Sequence, residues 1–133
     1  MRELKQHHTN SANEALKITV LDEPGAGGAH HLYLIHGFNA SRNQSFDLEL
    51  DGIGAEQVAV LFQNGPIKEV GVNGITHEAL LAILIDRLKA FQAGPYECKP
   101  NGLALDCLEQ ALTHLHSRTL ERQARGVEGT HGL

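Results

Sequence analysis

Residues 16–22 (LKITVLD) alternate apolar and polar positions and are rich in β-branched side chains, the period-two pattern of a half-buried strand. Residues 24–29 (PGAGGA) interrupt the pattern with turn-forming residues, and residues 32–38 (LYLIHGF) resume it as a second strand. Residues 39–44 read as a loop. Phe46, Leu48 and Leu50 then alternate with Asp47 and Glu49, which predicts a third strand, with Asp51-Gly52 as a hairpin turn. Residues 58–62 (VAVLF) make a fourth. Residues 1–15 show no clear period and read as a flexible N-terminal arm. The first half of the chain is therefore expected to form a small antiparallel β-sheet.

The period changes after Asn64-Gly65-Pro66 and the GVNG of residues 71–74. Thr76 is placed to cap a helix, and Glu78 sits in its first turn, where the helix dipole favours an anion. Leu80, Ile83, Leu84, Arg87, Leu88 and Phe91 recur at helical spacing until Gly94-Pro95 stops the helix near Ala93. A second helix begins near Pro100 and ends near Ala124, before Gly126. Along it Leu105, Leu108, Leu112, Leu115, Thr119 and Arg122 step by threes and fours, a heptad-like seam. The short Gly-Pro connection predicts an antiparallel hairpin. The fold class is α+β: one domain over residues 16–133, with the sheet in 16–64 and the hairpin in 75–125.

The seam turns polar at Thr119 and Arg122 without losing register, and Arg118 and Arg125 lie beside it. Two readings stand. Either the second helix outruns its partner into water, or Arg and Thr from several chains face an anionic ligand at an oligomer axis, since a desolvated Arg needs an acceptor.

Composition narrows the classes. A chain of 133 residues makes one modest core, and with 5% aromatics and no Trp that core is aliphatic, so self-association would add stability. The formal charge of −5 lacks the basic footprint of a DNA or RNA binder. Cys98 and Cys107 read as reduced, partly buried thiols with neither a zinc set nor a disulfide framework around them. The longest apolar run, residues 79–85, is far too short for a membrane span, and residues 1–15 lack the apolar stretch of a signal peptide. A cytoplasmic location follows as the expectation.

Catalytic signatures fail on inspection. The LIHGF of residues 34–38 looks like an oxyanion segment of an α/β-hydrolase, but no G-x-S-x-G elbow accompanies it. His77-Glu78 is followed by Leu81 where a zinc motif needs His, and His114 and His116 point to different helix faces, so no metal is expected. His7-His8 reads as a solvated pair. The PGAGGA segment has neither a P-loop nor a dinucleotide spacing and reads as a hairpin turn, with a close backbone approach to a ligand as the lesser alternative. With no nucleophile–base set and no paired carboxylates, the chain reads as a binder with no catalytic residues and no cofactor.

The segment 62–74 (FQNGPIKEVGVNG) carries the most local information. Phe62 can stack on a base. Gln63, Asn64 and Asn73 offer amides for base edges or ribose hydroxyls, and Lys68 offers charge for phosphate. A plain strand–loop–helix corner accounts for the same residues equally well.

That segment, continued by ITHEALLAILIDRLKAFQAGPYEC and later by LEQALTHLHSRTLERQARGVEGT, resembles the phage anti-Thoeris signalling-nucleotide sponges. These share a helical-hairpin domain with the phage anti-CBASS cyclic-oligonucleotide sponges. The resemblance is dense over residues 58–130 and continues more weakly over residues 18–33, the sheet region that points to the anti-Thoeris branch. It implies a homo-oligomer, a hexamer, in the host bacterial cytoplasm. Such an assembly would bind glycocyclic ADP-ribose isomers, and in some members cyclic di- or trinucleotides, without cutting them. Carried over residue by residue, it implies one ligand site at a subunit interface with Phe62, Gln63, Asn64 and Asn73, and Arg87 nearby. It implies a second around the oligomer axis with Arg118, Thr119 and Arg122. Lys99-Pro100-Asn101-Gly102 departs from the Arg-Glu-Asn-Ala usual after the cysteine, and residues 39–56 match nothing in the family. An enzyme that degrades the same signal, and a phage interaction module without a small ligand, are the competing readings.

Overall fold

The computed structural model describes residues 1–46 and 54–132. The chain divides into two compact units, Met1–Asn64 and Gly65–Leu133.

The first unit is a four-stranded antiparallel meander of β1 (Arg2–Leu4), β2 (Lys17–Val20), β3 (Leu32–His36) and β4 (Gln57–Leu61), in the order β1-β2-β3-β4. Register explains which face is buried. Ile18 lies opposite Ile35, which lies opposite Val58; Val20 lies opposite Tyr33, which lies opposite Val60. Cross-strand partners share a face, so these two rows form one apolar surface. On it Val20 is 1% exposed. Residues 1–15 are not the patternless arm expected from their sequence: β1 pairs with β2, and α1 (Ser11–Ala15) follows, capped by Asn10, which accepts from the Asn13 N–H at 3.0 Å. A three-residue strand and a five-residue helix are too short to leave a periodic signature. The strand expected beyond Phe46 and the turn at Asp51-Gly52 lie outside the described residues.

The second unit opens with a single helical turn, α2 (Ile67–Val70), and continues into α3 (His77–Gln92) and α4 (Lys99–Ala124). Thr76 caps α3 as expected, its hydroxyl accepting the Ala79 N–H at 3.1 Å. α3 and α4 pack against each other as a hairpin. The Gln92 side-chain amide ties the connection, donating to the Cys98 carbonyl and accepting the Cys98 N–H, both at 3.0 Å. A Cβ on Gly102 would stand 3.1 Å from the Gln92 Nε2, so the glycine leaves room for this amide.

On α4 the seam is where the sequence put it: Leu105, Leu108, Leu112, Leu115 and Thr119 are half-buried and Arg122 is buried. On α3 the phase differs. Ile85 is the buried position, with Leu81, Leu88 and Gln92 half-buried, whereas Ile83, Leu84, Arg87 and Phe91 are exposed. Residues 79–85 are apolar throughout, so two helical phases fit the pattern, and packing against α4 selects the one through Ile85. α3 has 16 residues and α4 has 26, so α4 extends about 15 Å beyond the length of α3.

Candidate functional site

In the first unit, Phe62, Gln63 and Asn64 follow directly on β4. The Phe62 N–H donates to the His31 carbonyl at 2.8 Å, extending the ladder by one bond. The Phe62 ring meets Tyr33 edge-to-face with centroids 5.8 Å apart. Asn64 reaches the glycine-rich turn between β2 and β3, its Oδ1 accepting the Ala26 N–H at 3.2 Å. A Cβ on Gly25 would lie 2.9 Å from that oxygen, so a side chain there would displace the Asn64 amide. The glycines of residues 24–29 therefore serve a backbone–amide contact inside the unit, and Gly27 and Gly28 adopt positive φ in the turn.

Asp22, which the sequence reading passed over, organises the same turn. Its carboxylate accepts the His31 N–H at 2.9 Å and the Leu32 N–H at 3.0 Å, while the His30 ring nitrogen donates to the Asp22 backbone carbonyl at 2.6 Å. With Met1, Arg2, Val20, Glu23, Pro24 and His30 it lines a cavity of about 330 Å³. The Leu32 N–H, foremost, holds the Asp22 carboxyl below its ordinary 3.8; partial burial opposes this, and the His31 N–H and the charge on His30 add to it. A carboxylate whose pKa falls on folding stabilises the fold above its unfolded value and loses that contribution as pH drops through the folded one. The wild-type chain is thus expected to lose stability below about pH 4, and Asp22→Asn to flatten that acid limb, in denaturant titrations from about pH 6 to about pH 2. Identical slopes for the two proteins would refute the assignment. An Asp just before a Pro-Gly turn was the available signal, since a short acidic side chain there commonly binds backbone N–H groups.

In the second unit, Asn73 is exposed between α2 and α3. Arg87 is exposed on α3, and its guanidinium carbon lies 5.4 Å from the centroid of the Phe91 ring, a cation–π distance. Arg118 and Thr119 occupy the last two turns of α4, Arg118 exposed and Thr119 half-buried. Arg122 shares their end of the helix and is 7% exposed, but each of its three nitrogens donates within the chain. Nε donates to Glu128, Nη1 to the Gly132 carbonyl at 2.6 Å, and Nη2 to the carbonyls of Val127 and Thr130 at 3.1 and 3.2 Å. The helix neither frays at this point nor leaves the arginine to water.

A family model described as the Acb2/Tad1 hairpin domain matches residues 54–119, from the approach to β4 through α2 and α3 and along α4 as far as Thr119. The chain is thus similar to the Acb2/Tad1 hairpin domain over 66 of its 133 residues. A curated relative, "Thoeris anti-defense 1" of Bacillus phage SBSphiJ7, is 50% identical over 72 residues, which is 54% of this chain and 51% of the relative. The match thus spans about half the length of that relative. Of the residues singled out from sequence, Phe62, Gln63, Asn64, Asn73, Arg87, Arg118 and Thr119 fall inside the matched hairpin domain, and Arg122 lies three positions past its end. Among the described residues no group of three or more His, Cys, Asp or Glu side chains could hold a metal ion. No helix among them is long and apolar enough to cross a membrane.

Proposed function

We propose that this chain counters a bacterial anti-phage defence by binding its nucleotide signal and holding it, uncut, away from the receptor in the host cytoplasm. The hairpin-domain match, together with the half-identical anti-defence relative, carries this reading. The ligand class is a glycocyclic ADP-ribose isomer, with cyclic di- or trinucleotides as further ligands. Phe62, Gln63, Asn64 and Asn73, with Arg87 nearby, are the proposed contacts of one site at a subunit interface, and Arg118 and Thr119 those of a second site around the oligomer axis. An aromatic ring, amides and cations are the groups that recognise a base, a ribose and a phosphate.

The working form is a homo-oligomer, proposed as a hexamer. Support comes from the second unit, which leaves Ile83, Leu84, Phe91, Leu103 and Leu120 exposed on its two long helices. Apolar side chains left exposed on both helices favour burial against a second copy.

A sponge acts by mass action, so it must bind at about nanomolar concentration, or about −12 kcal/mol. Stacking contributes about 1–3 kcal/mol per base and each charge-assisted hydrogen bond about 1.5–3 kcal/mol, so a few of each suffice once ordering costs of 4 to 15 kcal/mol, roughly, are offset by enclosure. The test is retention. Protein mixed with a glycocyclic ADP-ribose isomer or a cyclic trinucleotide is filtered, heated and filtered again. The ligand is expected to be missing from the first filtrate and to return in the second with its mass unchanged. A changed mass would replace the sponge by an enzyme, and no retention of either ligand would end the reading.

A further inference from the structure

α4 ends in a specific geometry. Gly126 has a φ of 75°, its N–H donates to the Gln123 carbonyl at 3.0 Å, and the Val127 N–H donates to the Arg122 carbonyl at 3.0 Å. This is a Schellman closure, which turns the chain back on the helix end. Arg122 therefore meets the returning tail twice: its carbonyl accepts from Val127, and its guanidinium donates to the carbonyls of Val127, Thr130 and Gly132 and to the Glu128 carboxylate. A buried guanidinium needs this many acceptors, and three carbonyls at one planar fork set the path of the tail more tightly than a single ion pair does.

The tail in turn meets α2. The Lys68 N–H donates to the Gly129 carbonyl at 3.1 Å, and the Gly129 backbone lies against the Ile67 and Lys68 side chains, at 3.8 and 3.4 Å from its would-be Cβ. That N–H belongs to the first turn of α2, which the helix itself leaves without a partner. His131 and Glu69 form an exposed pair at 3.3 Å alongside it. A continuous path of bonds thus runs from Arg122 through residues 127–132 to α2, the middle of the corner segment that also holds Asn73.

We propose that Arg122 is a positioning residue: it fastens the C-terminal tail as a brace that fixes α2, and so acts on ligand binding through the corner segment rather than by touching the ligand. The second half of this statement rests on the sponge reading; the first stands on the protein without ligand.

Two variants of the full chain separate the possibilities. Arg122→Ala removes the fork. Gly129→Val leaves Arg122 intact but places a β-branched side chain at a φ of 77° and against Lys68, which breaks the joint between tail and α2. By hydrogen exchange without ligand, Arg122→Ala is expected to expose the amides of residues 127–132 and of Lys68 while the amides of residues 81–92 keep their protection. In the retention assay with a glycocyclic ADP-ribose isomer, both single variants are expected to bind about tenfold more weakly, and the double variant no more weakly than either, because both cut one path. Arg122→Lys, which keeps the charge but not the fork, is expected to restore little. Unchanged protection of the tail and Lys68 in Arg122→Ala overturns the brace. Losses that multiply in the double variant, or full binding by Gly129→Val, overturn the indirect role in favour of direct contact. If the wild-type chain retains no ligand, the sponge reading fails, and the exchange result alone decides the brace.

Discussion

A chain carrying Ile83→Glu and Phe91→Glu is expected to sediment as a monomer at concentrations where the wild type forms the proposed homo-oligomer, with its helix content unchanged. Ile83 is 58% exposed and Phe91 38% exposed, both on the side of α3 away from the phase that holds Ile85. Within the hairpin Phe91 meets Arg87 and, edge-to-face, Tyr96, both of them exposed, so the buried seam through Ile85 does not depend on either residue. Burying a fully exposed side chain of this size is worth about 1.5–3 kcal/mol, and each of these two would gain the part that corresponds to its exposed surface. A carboxylate in the same place loses that gain and adds a desolvation cost. Together the two changes should weaken association by about a thousandfold or more, since about 4 kcal/mol is enough for that. Sedimentation velocity across a concentration series measures the change, and circular dichroism checks the helices. An assembly that survives both substitutions would place the interface elsewhere, and the exposed stripe would need another explanation.

Ile85→Ala is expected to cost about 2–5 kcal/mol of unfolding free energy, the range for truncating a buried aliphatic side chain and leaving a cavity. Ile85 is the buried apolar residue of α3, and few others share its load: Val20 and Ala40, the remaining buried apolar residues among those described, belong to the first unit. The neighbours Leu81 and Leu88 are only half-buried, so little can close in on the gap. Leu120→Ala is the control. At 65% exposure its loss should change the stability of the unassembled chain by no more than about 0.5 kcal/mol. Denaturant unfolding of the three proteins decides the point; equal midpoints for the wild type and Ile85→Ala would mean that the hairpin is not held together by this seam.

Both expectations come from the same ambiguity in the sequence. Over residues 79–85 almost any helical phase finds apolar residues, so the pattern alone identified a helix but assigned its stripe to Leu80, Ile83, Leu84, Arg87, Leu88 and Phe91, of which Leu80 and Leu88 are half-buried and the rest exposed. α4 is less uniformly apolar, with Asp106, Glu109, Gln110 and Thr113 between its leucines, and there the seam was legible residue by residue. Thr76 as a cap, Gly126 as a stop and strands at β2, β3 and β4 were legible for a similar reason: each depends on neighbours close in sequence. The candidate ligand residues were legible only as chemical types. That Phe62 meets Tyr33, that Asn64 receives the Ala26 N–H and that Asp22 gathers two backbone N–H groups are consequences of strand register, which brings together residues far apart in the chain.

Arg122 draws the division most sharply. Periodicity placed it in the seam of α4 and identified an arginine that would need acceptors once desolvated. Which acceptors it takes depends on where the chain goes after Gly126, and no local pattern encodes the position of four groups between residues 127 and 132. The sequence by itself determined the strands β2 to β4, the helical hairpin, the resemblance to a family of phage sponges and the kinds of side chain the chain offers. The tertiary structure decided which apolar face is interior and which polar groups are already paired, because burial and hydrogen-bond satisfaction depend on contacts between segments rather than on the order of residues within one.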